Sequence, residues 1–244
     1  MIEVVDVSKK FKRYHDKATT LKEQLLRLRS SKADTFWALR DINLRVETGE
    51  TVGLIGHNGS GKSTLLKLIT KIIYPTTGRI TTQGRVSSLL ELGAGFHPDF
   101  TGRENIYINA SIFGLSKKEI DQKLDRIISF SELEGFIDSP IRTYSSGMYI
   151  RLAFAIAVHV EPQILLMDEI LAVGDANFQN KCIAKIKEFK KQGITIVFVS
   201  HKMEDVYQIC DRVVWLDHGH IVACGDTRKI GEQYLAAMQE KGEK

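Results

Sequence analysis

The sequence predicts an α/β protein: a mostly parallel, doubly wound sheet with an inserted α-helical subdomain. Three observations carry this. Apolar strand-like runs alternate with helix-like runs at both ends of the chain, a pattern that builds parallel sheets. Between about residues 92 and 160 that alternation stops and helical spacing takes over. An apolar strand, ETVGLIG (50–56), also runs through a glycine-rich turn straight into an apolar helix, KSTLLKLITKII.

Taken in order, IEVVDV (2–7) has the content of a strand. TLKEQLLRLRS (19–29) sets Leu21, Leu25 and Leu28 on one stripe with basic residues elsewhere, so an amphipathic helix is expected over about 19–30. FWALRDINLRV (36–46) places Leu39, Ile42, Leu44 and Val46 in strand-like register, and short strands are expected around 79–90. SKKEIDQKLDRIISF repeats Ile120, Leu124, Ile127 and Ile128 at helical spacing. After Glu161-Pro162, QILLMDE, ITIVFVSH, RVVWLD and HIVACG are strands, and NKCIAKIKEFKKQ and MEDVYQI are helices. The expected division is a core of 1–91 and 161–244 with a helical subdomain at about 92–160.

Bulk properties narrow the class. With 244 residues, 43% hydrophobic and 26% charged, the chain can bury a sizeable core. A net charge of +4 is too mild to argue for nucleic acid, and none is expected as a partner. Three cysteines without a CxxC pair point to reduced thiols in a cytosolic protein. No apolar run reaches the roughly 18–20 residues a membrane-spanning helix needs, so any membrane role is expected to run through a partner.

The chemistry is concentrated in three places. Gly56-His57-Asn58-Gly59-Ser60-Gly61-Lys62-Ser63, followed by Thr64, fits the phosphate-loop pattern G-x-x-x-x-G-K-[ST] in its required strand-to-helix setting. Its glycines let backbone amides close round phosphate oxygens at a helix start. Lys62 is placed to neutralise the β- and γ-phosphates of a nucleotide, and Ser63 to set its hydroxyl on Mg²⁺. ILLMDE (164–169) is an interior strand ending in two carboxylates, at the sheet edge where α/β ligands bind. Asp168 suits Mg²⁺, and Glu169 suits a general base that polarises the attacking water. A third strand ends in Ser200-His201, which positions His201 to contact the γ-phosphate. Finally, Tyr144-Ser145-Ser146-Gly147-Met148 opens a helix, where Ser145 suits an N-cap and the same amides suit an anion.

With these parts in this order the chain resembles the ATP-binding subunit of ABC transporters, which implies a P-loop NTPase, RecA-like core with a mostly parallel sheet, a small antiparallel β part and an inserted α-helical subdomain. The resemblance rests on GHNGSGKS (56–63), YSSGM (144–148), ILLMDE (164–169), VGDANF (173–178) and SH (200–201). It implies ATP and Mg²⁺ as ligands and a head-to-tail homodimer with two ATP molecules in the interface. Ser145, Ser146 and Gly147 would then hold the partner's ATP, and Asp175 would lie in the loop crossing between the sites. It also implies an aromatic ring on adenine, for which Phe11 and Tyr14 both qualify. Two departures stand out. The commoner signature has Leu, Gly and Gln where this chain has Tyr144, Ser146 and Met148. The usual hinge glutamine is missing from SSLLELGAGFHPDF, where Glu91 is the nearest polar candidate for the metal-contacting role and a gapless reading lands on Leu92.

LLELGAGFHPDFTGRENI, the signature segment and DEILAVGDANFQNKC look like the branch that exports lipid-linked polysaccharides, O-antigen, capsule or wall teichoic acid. The helix expected at 19–30 is similar to an extra helix which that branch carries beside its membrane subunit. The branch's C-terminal sugar-reading β-sandwich is not expected here. That favours a wall teichoic acid exporter or a short O-antigen-type subunit, the former placed first. The implied assembly is two copies of this chain with two copies of a multi-spanning permease, peripheral on the cytoplasmic face of the membrane. A soluble ABC-type ATPase would be expected to show tandem halves or a coiled-coil insertion. A small-molecule kinase would have no use for YSSGM, and a non-catalytic scaffold none for Glu169.

Overall fold

In a computed structural model of the chain, residues 1–13, 34–90, 92–168, 175–200 and 202–242 are described here. The expected helix over 19–30 lies outside these residues, as do Tyr14, Glu91, Glu169 and His201. Two sheets carry the core. The smaller has the order β2-β1-β4, from β1 (Ile2–Arg13), β2 (Asp34–Val46) and β4 (Thr77–Thr82), with both pairings antiparallel. The larger has the order β5-β6-β7-β3-β8-β9, from β3 (Thr51–Ile55), β5 (Val86–Ser88), β6 (Ile164–Asp168), β7 (Thr195–Val199), β8 (Arg212–Asp217) and β9 (His220–Asp226). All its pairings are parallel except β8–β9.

The central strands explain their own placement. Every residue of β3 and β7 is buried, the near-continuous apolar run expected when helices cover both faces. Alternate residues then point into two apolar layers. One gathers Leu165, Met167, Ile196 and Phe198 under α5 (Ala176–Lys191) and α6 (Met203–Ile209), together with Val206 and Phe178. The other gathers Val52, Leu54, Leu166 and Val197 with α1 (Lys62–Ile69) and the inner face of the smaller sheet.

Between β5 and β6 the chain builds α2 (Gly102–Ile112), α3 (Lys117–Ser131) and α4 (Ser146–His159). Capping boxes start the first two: Thr101 and Ser116 each accept from the amide three residues on, and Glu104 and Glu119 reach back. α4 is buried on nearly all sides because it joins two cores. Phe154, Ala157 and Val158 belong to the sheet cluster, while Leu152, Ala155 and Ile156 belong to the helical one.

Some elements differ from expectation. β1 continues to Arg13 instead of ending near Val7. Its outer half, Lys9 to Arg13, is rich in lysine, but it pairs with residues 34–39 of β2 as a two-stranded ribbon. α1 stops at Ile69, four residues short of the expected Ile73. Residues 92–100 form turns before α2 begins. A final helix, α7 (Thr227–Gly242), packs Tyr234 edge-on to Trp215, 5.7 Å between ring centres, and was not foreseen from its polar composition.

The cysteines provide a test of the packing. Cys182 and Cys210 are buried free thiols, and burial pushes each up to about 12. Cys224 is exposed. At pH 8 a thiol at about 12 is ionised in only about one molecule in ten thousand, and the thiolate is the nucleophile. We therefore expect iodoacetamide to label the native protein once, at Cys224, and three times after denaturation. Rapid native labelling of Cys182 or Cys210, read by mass spectrometry, would contradict the packing.

Candidate functional site

The parallel register aligns the strand ends that build the site. Asp168 pairs with Val199, and Val199 pairs with Leu54, one residue before β3 ends at Ile55. The phosphate loop therefore leaves the sheet where β6 delivers Asp168, with β7 between them. Ser63, at the second position of α1, donates its hydroxyl proton to Asp168 Oδ2 at 3.0 Å.

The glycines of the loop are required by geometry. Gly56 has φ 146° and a Cβ there would lie 2.1 Å from the Leu216 carbonyl oxygen. Gly61, at φ 110°, would push a Cβ to 2.6 Å from Leu39 Cδ2. Gly59, at φ 82°, faces open space. The Lys62 side chain is buried and folds back along the loop, donating to the Gly56 carbonyl at 2.6 Å and the His57 carbonyl at 2.9 Å. Ser60 is also buried, and its amide donates to the His57 carbonyl.

The start of α1, like that of the short α6, lacks the side-chain cap found on α2 to α5. Its N-cap is Gly61, with no side chain bonded to the first amides. In α2, α3, α4 and α5 the N-cap side chain, from Thr101, Ser116, Ser145 or Asp175, accepts one of them. Amides left open at a helix start are what an anion uses.

These groups line one cavity of about 500 Å³, bounded by Asn58, Gly59, Gly61, Lys62, Ser63 and Thr64, by Asp168, and by Phe36, Ala38 and Leu90. Phe36 is a site residue the sequence analysis did not single out. Its ring is 54% exposed, and Phe11 stacks behind it at 5.7 Å between centres. Cross-strand pairing explains this, since Phe11 of β1 faces Phe36 of β2 directly. The signal was present as an aromatic just ahead of a strand, but it took the ribbon to place it beside the loop.

Ser145, Ser146, Gly147 and Asp175 are not brought into this cavity. Ser145 caps α4, its hydroxyl accepting from the Met148 amide at 3.2 Å, and both Ser145 and Ser146 are exposed. A Cβ on Gly147 would meet nothing closer than Ser145 Oγ at 3.8 Å, so packing within this chain does not demand a glycine there. Met148 packs against the helical cluster. Asp175 caps α5 through the Phe178 amide at 2.9 Å and pairs with Arg151 of α4. The Phe178 amide first, and then the Arg151 charge, hold its carboxyl below the usual range. Arg151 also reaches Glu132 at 2.9 Å, so it ties the loop before α5 to the helical subdomain. Sequence reasoning did not mark it.

Residues 39–172, from β2 to just past β6, match the family model described as ABC transporter. The chain belongs to the ABC transporter family. Within that family, it is similar to proteins named as export ATP-binding proteins. It is 50% identical to the O-antigen export system ATP-binding protein RfbB of Klebsiella pneumoniae, over 98% of each chain. It is also 50% identical to the teichoic acids export ATP-binding protein TagH of Enterococcus faecalis, over 85% of this chain and 46% of that protein. Among solved structures, an ABC transporter ATP-binding subunit superposes with a TM-score of 0.77 at 25% identity, covering 96% of this chain and 92% of that one. The ABC transporter fold thus accounts for both sheets and for the helical insertion between β5 and β6.

Proposed function

We propose that this chain is the ATP-binding and ATP-hydrolysing motor subunit of an exporter that moves lipid-linked polysaccharide, of the O-antigen or teichoic acid kind, across the cytoplasmic membrane. One observation carries the motor reading: a single cavity joins an uncapped helix start, Lys62, and the Ser63–Asp168 pair. The export reading rests on the names of the relatives at 50% identity.

The residues present fit Mg²⁺·ATP. Ser63 and Asp168 offer the hard oxygen donors that Mg²⁺ takes, and they would hold it. Mg²⁺ held there would supply positive charge to the phosphates of the nucleotide. Lys62 would exchange its loop carbonyls for phosphate oxygens, and the amides after Gly61 would receive further phosphate charge. Phe36 lines the cavity with Phe11 stacked on it, so we add Phe36 to the candidates for the adenine ring beside Phe11 and Tyr14. Glu169 follows Asp168 at the strand end, and from that position we assign it the general base. His201 follows Ser200 in sequence, after the end of β7 at Val199, and we assign it the γ-phosphate contact. Glu91 stays a candidate for the metal-contacting hinge.

The other half of the site belongs to a second copy of the chain. Ser145, Ser146 and Gly147 are exposed or unconfined and lie outside their own chain's cavity, which suits them to the partner's γ-phosphate. Asp175, braced by Arg151, suits the crossing loop. Binding of ATP would close the homodimer through these shared contacts, and hydrolysis would reopen it. We assign the nucleotide to the core, 1–91 and 161–244, and the outward motion to 92–160. Among the described residues no helix is long and apolar enough to cross a membrane. A groove of about 450 Å³ on the helical insertion, lined by Phe100, Tyr107 and Ile108, suits a permease segment. Two permeases per homodimer would place the chain peripherally on the cytoplasmic face.

One experiment tests the assembly and the export reading together. In a strain lacking this chain, the wild type should restore surface polysaccharide and co-purify with a multi-spanning membrane protein. Ser145→Arg should bind ATP as a monomer with unchanged affinity, yet lower ATPase activity and export at least about a hundredfold. Full activity of Ser145→Arg would overturn the trans assignment, and unchanged polysaccharide in the deletion strain would overturn the export reading.

A further inference from the structure

Beside the nucleotide cavity, three metal-ligating side chains converge that the ATPase reading does not use. The ligand atoms of His57, Asp217 and His218 all lie within 4.8 Å of one another. His57 Nε2 is 2.8 Å from Asp217 Oδ1, and His218 Nε2 is 3.9 Å from the same oxygen. A tetrahedral Zn²⁺ with bonds of about 2.0–2.2 Å separates its ligand atoms by about 3.3 Å. The two measured separations bracket that value. The His218 side chain is 78% exposed, so its ring can turn to close the remaining gap.

The fold fixes two of the ligands before any ion arrives. His57 Nδ1 lies 2.5 Å from the Asn58 carbonyl oxygen, an outward partner of the kind that orients a metal-bound histidine. A proton held there leaves the lone pair on Nε2. That Nε2 atom is buried and makes no hydrogen bond among the described residues, with the carboxylate oxygen of Asp217 beside it. The third ligand sits on a two-residue turn, with His218 at φ 46° and Gly219 at φ 81°, between Asp217 and His220. Gly219 is pinned on both sides, its amide donating to the Ser60 carbonyl at 3.0 Å and its carbonyl accepting from the Arg40 amide at 2.9 Å. The tip of the β8–β9 hairpin is therefore fastened to the phosphate loop and to β2.

We propose that His57, Asp217 and His218 form a binding site for a borderline divalent transition ion such as Zn²⁺, with water in the fourth position. Two imidazoles and one carboxylate suit Zn²⁺ or Co²⁺ and not Mg²⁺, whose oxygen donors lie at Ser63 and Asp168. The site clamps the hairpin tip to the phosphate loop and needs neither ATP nor a second copy of the chain. It therefore stands or falls independently of the export reading.

The test is a titration of the full chain, stripped with a chelator and carrying Cys224→Ser so that the exposed thiol contributes no ligand. Co²⁺ should bind at one ion per chain with the visible absorption of a four-coordinate ion, be displaced by Zn²⁺, and resist millimolar Mg²⁺. His218→Ala, an exposed turn substitution, and Asp217→Asn should each weaken Co²⁺ binding about tenfold or more. Absence of the visible band, displacement by Mg²⁺, or affinity unchanged in both variants would each overturn the proposal.

Discussion

Lys62→Ala will lower ATP hydrolysis by about two to three orders of magnitude, or about 2.7–4 kcal/mol of transition-state stabilisation. The Lys62 side chain is already drawn into the loop, bonded to the Gly56 and His57 carbonyls, so its charge is held at the cavity and not in solvent. Charge that builds on the β- and γ-phosphate oxygens during transfer meets a cation that needs little reorganisation. Part of the contact exists in the bound ground state, so ATP affinity should also fall by about tenfold or more. Lys62→Met, which keeps the apolar stem, should lose as much activity while leaving the thermal melting point closer to wild type. ATPase activity within a factor of three of wild type in either variant would remove Lys62 from the mechanism.

Glu169→Gln should separate binding from turnover. An amide cannot take a proton from the attacking water, and positioned general bases contribute about 10²–10⁴-fold. Hydrolysis should drop by that factor with ATP affinity preserved. Because the shared contacts would then persist, the variant should accumulate as an ATP-bound dimer, visible by size-exclusion chromatography with multi-angle light scattering. Turnover at the wild-type rate would reassign the base. Loss of ATP binding itself would show that Glu169 acts on the nucleotide and not on water.

How much of this was legible beforehand depended on the range of the interaction involved. The phosphate loop was readable because its demands are local. Gly56 and Gly61 sit at positive φ, and Lys62 and Ser63 follow in fixed register at the helix start. Asp168 was readable because a buried parallel strand of four apolar residues has one polar end, and that end meets the ligand edge. The β1–β2 ribbon was not readable over its outer half. Lys9, Lys10 and Lys12 give no inside-outside alternation, because pairing to β2 rather than burial defines the strand there. Phe36 and Arg151 were missed for a related reason. Each owes its place to a partner distant in sequence: Phe36 to the loop beside the ribbon, and Arg151 to Asp175 and Glu132.

The sequence alone determined the α/β alternation, the helical insertion and the phosphate loop with its acidic counterpart. Each of these is written in spacing and residue type within one strand-to-helix unit. Only the tertiary structure decided that Phe36 lines the cavity, that YSSGM lies away from its own chain's loop, and that the β8–β9 turn brings Asp217 and His218 to His57. Those are juxtapositions across sheet pairings such as β3–β8 and β1–β2. A pairing partner far along the chain leaves no periodic trace in either segment, so such contacts exist only once the sheet has closed.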